Sequence, residues 1–390
     1  MKIKGEFFLS KTPILDKQKK VFAYKLLLRD KEDKPLTSGE FARILANLRF
    51  DKLFGRHRLF VPIMPDLLEN EVLDYINEKK FIFVLDEDLL DERDFSKIEE
   101  LKELGFSFAV RKVDYEKTPE EVKFFDYFIY PKEFALKNDP YKNRVIIRNI
   151  KTLSEMESFV KKGFSYFYGD FIFRDTVVGR TITPTKKAII QLFNRIKDKY
   201  NPHEVEEIIK KNADLSLSLL KYVNSAAFYL PTRISSIRKA IMILGQRNLL
   251  HWILLYLYTG VDEEDGFYSE TLLELAAERG KIMEILAEKI GLSQEEADKA
   301  FLVGVFSFVD KLLNMSKKDI KEEFNVDEET YRALTKYEGT LGKLLHLVEN
   351  IEQADVFELN KELEETGLSI PDIIQAQMQA YAWFEGIELK

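Results

Sequence analysis

The first part of the chain alternates two hydrophobic rhythms. Short runs rich in β-branched and aromatic residues are followed by stretches with a helical period. The runs are Glu6–Ser10, Val21–Leu28, Arg58–Ile63, Lys80–Leu85, Phe106–Val110, Tyr127–Tyr130, Arg144–Ile147 and Phe164–Phe167. Several are apolar at every position, as in Phe81-Ile82-Phe83-Val84-Leu85, which is the pattern of a strand buried on both faces. Between them, Ser38–Leu53 places Phe41, Ile44, Leu45, Leu48 and Leu53 along one side. Thr152–Lys162 has Thr152 to cap its start and Gly163 to end it. Strand signals alternating with helical stretches predict a (β/α)₈ barrel over residues 1–175. The connection from Lys11 to Lys20 is too short for a helical crossover, so the first strand is expected to run antiparallel to the second.

From Arg174 to Thr185 the pattern lapses into Gly179, Pro184 and several threonines, and residues 176–185 read as a linker. Residues 186–390 then carry one helical pattern after another, without strand signals. Examples are Lys186–Lys199, Leu215–Val223, Ile237–Gly245, Arg247–Thr259, Glu270–Ile290, Gln294–Leu313 and Ile370–Phe384. The predicted fold is thus α/β plus all-α: a barrel followed by a helical domain.

Composition narrows the chemistry. A hydrophobic fraction of 45% and an aromatic fraction of 13% suffice for two sizeable cores. A net charge of −8 gives no reason to expect a nucleic-acid polymer or an anionic membrane surface as partner. The absence of cysteine excludes disulfides, thiolate nucleophiles and iron–sulfur clusters. The four histidines, His57, His203, His251 and His346, include no pair at ligand spacing, so no metal centre is expected. His251 and His346 sit in apolar helical stretches and read as core residues. The longest apolar run, Leu249–Tyr258, is too short to span a bilayer, and Met1–Glu6 is too charged for a signal peptide. The chain reads as soluble and cytoplasmic.

Five segments carry a resemblance. They are Thr12-Pro13-Ile14 with Asp16, Tyr24-Lys25-Leu26-Leu27, Leu104–Val113, Val145–Thr152 and Phe167-Tyr168-Gly169. In this order they resemble the motifs of the EAL domain, whose members hydrolyse cyclic di-GMP. The resemblance implies a barrel with an antiparallel first strand and a two-metal site at the strand ends. It also shows what has changed. The name-giving glutamate is Lys25, the aspartate pair is Arg111-Lys112, and two later glutamates are Arg148 and Lys151. The metal-ligating asparagine falls at Pro62 and the catalytic lysine at Ile129, which leaves Glu87 as the remaining acid. Divalent ions need hard oxygen ligands, so neither catalysis nor a metal nor any other cofactor is expected. Two readings of the basic set stand. The charges either pair with Asp86, Glu87 and Asp88 or reach solvent, or else Lys25, Arg111, Lys112, Arg148 and Lys151 form an anion site.

In the second half, Asp214–Phe228, Ile234-Ser235-Ser236-Ile237, Ala240-Ile241 and Leu244-Gly245 resemble the signature of the HDOD domain. That domain is related to HD phosphohydrolases but generally lacks their metal residues. Here Ser307-Phe308 stands where His-Asp would be, downstream of Glu278-Arg279. Asp214, Asn224, Ser225, Ser235 and Gly245 are expected to be structural, with Asn224-Ser225 a polar hinge and Gly245 a helix stop. Met378, Tyr381, Trp383 and Phe384 would form an adhesive patch if exposed. The order of the two domains resembles that of EAL–HDOD proteins of bacterial signal transduction. It implies a non-catalytic scaffold or adaptor in cyclic di-GMP-linked regulation, acting through contacts with other signalling proteins. The alternatives are a metal-independent receptor for a cyclic dinucleotide or other phosphorylated ligand, and a residual phosphodiesterase. A homo-oligomer is compatible with each.

Overall fold

The structure is a computed structural model that describes residues 7–48, 50–111, 121–135, 139–174, 183–259, 266–313 and 315–389. Lys112 and residues 176–182 of the expected linker lie outside the described residues. The chain divides into two compact units, Met1–Asp175 with Asn350–Asn360, and Thr176–Glu349 with Lys361–Lys390. The first unit thus takes in a stretch that the sequence pattern assigns to the helical half. Within that unit, Ser10 Oγ donates to the Glu352 carbonyl at 2.8 Å and Asn360 Nδ2 donates to the Lys31 carbonyl at 2.9 Å.

Eight strands close a barrel in sequence order. They are β1 (Phe8–Asp16), β2 (Val21–Arg29), β3 (Arg58–Pro62), β4 (Phe81–Asp86), β5 (Ser107–Arg111), β6 (Tyr127–Pro131), β7 (Val145–Arg148) and β8 (Tyr166–Phe167). β1 runs antiparallel to both β2 and β8, and the other neighbouring pairs are parallel. The direction of β1 is as the short connection predicts, but the connection itself is shorter. β1 continues through Thr12-Pro13-Ile14-Leu15 to Asp16, because Ile14 and Leu15 are fully buried. The remaining turn is closed by the Asp16 carboxylate, which accepts from the backbone N–H of Gln18 and Lys20.

Ile14, Ala23, Phe60, Ile82, Val84, Ala109, Ile129 and Ile146 fill the barrel interior. Beneath them Phe22 stacks on Tyr166 at 4.0 Å, with Tyr127 against both. Side chains alternate along a strand, so this set determines which later residues also point inward. The outer layer is thinner than predicted. The Ser38–Leu53 stretch forms a helix, Ser38–Asn47, started by a Thr37/Glu40 capping box and broken at Leu48, which adopts an extended conformation. A four-residue turn, Phe50–Leu53, follows. Between β3 and β4 the chain makes two 3₁₀ turns, Pro65–Glu69 and Glu71–Tyr75.

The described residues of the second unit are helical. The span Ile237–Tyr256 is two helices that meet at a kink at Gly245, where φ is 65° and ψ −179°, in line with the helix stop expected there. Gln294–Leu313 is two helices, Gln294–Phe306 and Val309–Leu313, parted at Ser307-Phe308. Short polar helices at Lys317–Glu323 and Val356–Thr366 escape the hydrophobic pattern. Gly266–Lys289 and Gln294–Phe306 touch backbone to backbone, since a Cβ on Gly304 would lie 2.6 Å from Gly280 Cα. His251 is buried against the Phe301 ring at 3.7 Å, and burial holds its imidazole neutral by pushing its pKa well below 6.5. His346 departs from its core reading: it is half-buried and pairs through Nδ1 with Glu362. The adhesive patch also fails, because Tyr381 is buried and Met378, Trp383 and Phe384 are half-buried. Leu217, Tyr229, Met242 and Ile243 are the large apolar side chains exposed instead on the signature helices and their loop.

Candidate functional site

The barrel's inward set extends by two residues at each strand end. Ala23 points in and so does Lys25, Val84 leads to Asp86, Ala109 to Arg111, and Ile146 to Arg148. Phe60 and Ile129 lead to Pro62 and Pro131, which bring no ligand atoms. Register agrees, with Asp86 opposite Arg111 and Pro131 opposite Arg148. Among the described residues, Asp86, Arg111 and Arg148 at the carboxyl ends of parallel strands, with Lys25 within β2, therefore lie above the apolar core. Sites gather at that end because the loops leaving the parallel strands open there.

Asp86 grips Arg111 from the side. Arg111 Nη2 donates to Oδ2 at 2.6 Å, and Nε lies 2.5 Å from Oδ1 outside hydrogen-bond geometry. Lys25 has no such partner among the described residues. Its Nζ lies 5.3 Å from the centre of the Tyr168 ring. Burial, followed by the charges of Arg111, Arg148 and Arg29, pushes its pKa down to about 8. Arg148 is half-buried, and its Nε is buried without a hydrogen-bond partner. Burial pushes the Tyr168 hydroxyl up to about 12, so it stays protonated beside these cations. Next to Asp86 and Arg111 lies a cavity of about 70 Å³, walled by Leu27, Pro62, Met64 and Leu67.

The other expected residues stand differently. Glu87 follows Asp86 and opens the 3₁₀ turn Glu87–Leu89, so the carboxylate within the inward layer is that of Asp86. Lys151 is exposed, with its backbone N–H donating to Glu155 Oε2 at 2.7 Å. Lys112 lies outside the described residues. Among the described residues no three His, Cys, Asp or Glu side chains gather as a metal group. Among the described residues the donor set does not fit the metal pair that the EAL resemblance implies, because the Asp86 carboxylate is committed to a guanidinium and cations stand around it.

The second unit has its own buried charge. Arg279, only 3% exposed, donates through Nη1 to Ser307 Oγ at 2.7 Å and to Glu349 Oε1 at 2.9 Å. Its guanidinium carbon lies 4.0 Å from the centre of the Phe308 ring. Tyr337 Oη donates to the other Glu349 oxygen at 2.7 Å, and Ser307 Oγ donates to the Gly304 carbonyl at 2.5 Å. A guanidinium thus fills the space beside Ser307-Phe308.

Residues 182–346 match the HDOD domain. The second unit carries an HDOD domain. Two relatives align along nearly the whole chain. The uncharacterized protein YuxH of Bacillus subtilis is 25% identical over 88% of this chain and 90% of its own length. The cyclic di-GMP phosphodiesterase CdgJ of Vibrio cholerae is 24% identical over 97% of this chain and 93% of its own. Among solved structures, an EAL domain protein from Listeria monocytogenes aligns at 14% identity over 43% of this chain and 88% of that one, with a TM-score of 0.35. The eight-stranded barrel thus precedes the HDOD match in the chain.

Two of the expected HDOD signature residues, Asn224 and Ser225, bond to nearby backbone. Asn224 clamps the loop that follows it, with Oδ1 accepting from the Ile234 N–H and Nδ2 donating to the Ile234 and Leu220 carbonyls, each at 2.7 Å. Ser225 Oγ donates to the Tyr222 carbonyl at 2.7 Å. Asp214 lies exposed in the first turn of its helix, Ser235 is exposed at the end of the clamped loop, and Gly245 marks the helix break. Sequence reasoning named Asp86 among three acids that could pair with the basic set, as it does with Arg111, but missed its place in the inward layer and the bond from Arg279 to Ser307. The first was legible from the two-residue period of β4, while the second needed the packing of three helices.

Proposed function

We propose that the chain is a non-catalytic adaptor in cyclic di-GMP-linked signalling, in which the HDOD domain engages other proteins. One observation supports the loss of catalysis: among the described residues, Lys25, Arg111 and Arg148 occupy the inward layer of the barrel with Asp86 as its carboxylate. Such a layer repels divalent cations and leaves them too few oxygen ligands. Purified protein given cyclic di-GMP and Mn²⁺ is expected to show no sustained turnover in a chromatographic assay. Turnover that disappears on Asp86→Asn would overturn this reading.

A second reading concerns the barrel and is favoured by the unmatched charge of Lys25 and the buried, unpartnered Nε of Arg148. The mouth then acts as a metal-independent receptor for a cyclic dinucleotide or another phosphorylated ligand, held by charge-assisted hydrogen bonds. The name of the Vibrio relative makes cyclic di-GMP the first ligand to test. Calorimetry should give the same affinity with and without a divalent-ion chelator. Undetectable binding of cyclic dinucleotides at millimolar concentration would refute the receptor.

The receptor carries a pH signature. Lys25 is held near 8, so it is charged below that value and loses its charge as pH rises through it. A bound anion favours the charged form and raises this pKa. Affinity should therefore be highest below pH 8, fall progressively between pH 8 and 10, and be accompanied by proton uptake in that window. Lys25→Met should flatten the profile.

A further inference from the structure

The HDOD domain holds a groove of about 550 Å³ between the helix Ala213–Asn224 and the loop that Asn224 clamps. Leu217, Leu220, Leu230 and Ile234 supply its apolar lining, with Leu217 55% exposed, beside polar Asn224, Thr232 and Ser235. Two cations, Lys221 and Arg233, stand on its lining. Among the described residues neither has a hydrogen-bond or ion-pair partner for its side chain. For Arg233 that is unusual in this unit, where Arg195, Arg238, Arg247, Arg279 and Arg332 are all paired with carboxylates. The chain as a whole is acidic, with net charge −8, so unmatched cations around leucines form a local exception.

The groove is also preset. Three hydrogen bonds from Asn224 fix the loop against its helix, and Ser218 Oγ donates to the Leu389 carbonyl at 2.8 Å, which places Glu388 on the rim. A trough held in shape by these bonds lowers the ordering cost of binding, and two cations against the one carboxylate of Glu388 on its lining favour an opposite charge. We propose that this groove docks an acidic amphipathic segment of a partner protein, whose leucine-like side chains fill the trough while its carboxylates meet Lys221 and Arg233. An amphipathic helix presenting apolar residues three and four apart matches such a trough. This rests on the adaptor reading and supplies the chemistry of what is held.

The test uses the full-length chain as bait for a phage-displayed library of random 16-residue peptides. Enriched peptides should combine Leu, Ile or Phe with Asp or Glu. Their affinity should fall at least tenfold with Lys221→Glu/Arg233→Glu and with Leu217→Ser, and should weaken with added salt. Peptides whose acids are changed to lysine should regain binding to the charge-reversed protein. All three positions are at least partly exposed, and unchanged thermal unfolding of the variants separates lost docking from lost folding. No enrichment, or binders indifferent to these substitutions, would overturn the proposal. So would concentration-dependent dimerisation abolished by Leu217→Ser, or retention of a single-stranded oligonucleotide dependent on Lys221 and Arg233, since each names another occupant. These outcomes are separable from those of the adaptor reading: metal-dependent turnover would refute the loss of catalysis and leave the groove untouched.

Discussion

Arg111→Ala/Arg148→Ala is expected to abolish measurable binding of cyclic di-GMP at the barrel mouth. The inward layer of the native protein sets three cations against one carboxylate, and the double variant leaves Lys25 against Asp86. A charge-assisted hydrogen bond contributes about 1.5–3 kcal/mol, so loss of the Arg148 contacts alone should weaken binding roughly 10- to 150-fold. Arg111→Ala acts twice, because it also frees Asp86 to repel the ligand. The converse variant, Asp86→Asn, releases Arg111 and should tighten anion binding while lowering the stability of the ligand-free barrel. Calorimetry across the three variants checks the order. Equal affinities for native protein and double variant would remove the anion site from the barrel mouth.

Arg279→Ala is expected to be the most damaging single substitution in the HDOD domain. Arg279 is buried, bonded to Ser307 and Glu349, and stacked on Phe308. Its loss leaves the partly buried Glu349 carboxylate beside a void with the Tyr337 hydroxyl as its remaining hydrogen-bond partner among those described. Breaking a buried pair from one side costs about 3–5 kcal/mol. For a domain of this size that corresponds to a fall in Tm of roughly 6–20 °C. Arg279→Lys keeps the charge but not the planar contact with Phe308, and should fall between. Arg279→Met/Glu349→Leu should recover much of the loss, since an apolar pair leaves no charge stranded. Thermal unfolding followed by far-UV circular dichroism gives the order directly. A shift below 2 °C for Arg279→Ala would show that the guanidinium is not holding these helices together.

The barrel was legible because strands buried on both faces write unbroken apolar runs. The antiparallel β1 was legible because a helical crossover cannot fit into so short a connection. The length of β1 was not. Thr12-Pro13 carries turn-forming residues, and only closure of the barrel shows that Ile14 and Leu15 are both enclosed. Lys25, Arg111 and Arg148 converge because each follows an inward apolar residue by two positions. Glu87 drew attention as the acid just past a strand, yet the side of Val84 belongs to Asp86. In the helical half, periodicity located the helices but could not say what covers them. The last helix looked adhesive until Trp383 was found edge-on to Phe301, with ring centres 6.1 Å apart. The exposed apolar side chains lie instead around a signature whose polar residues had suggested only a hinge.

The crowding of Lys25, Arg111 and Arg148 has a thermodynamic consequence for the empty barrel. Like charges held together on a rigid rim oppose folding, and an anion that settles among them removes that opposition. Binding and folding are therefore linked, with stabilisation growing as RT ln(1 + [L]/Kd). Inorganic phosphate or pyrophosphate in the buffer should raise the melting temperature of the barrel by more than chloride at the same ionic strength, which only screens the charges. The barrel would then report the surrounding phosphate-ester concentration through its own resistance to unfolding and proteolysis, with no bond made or broken.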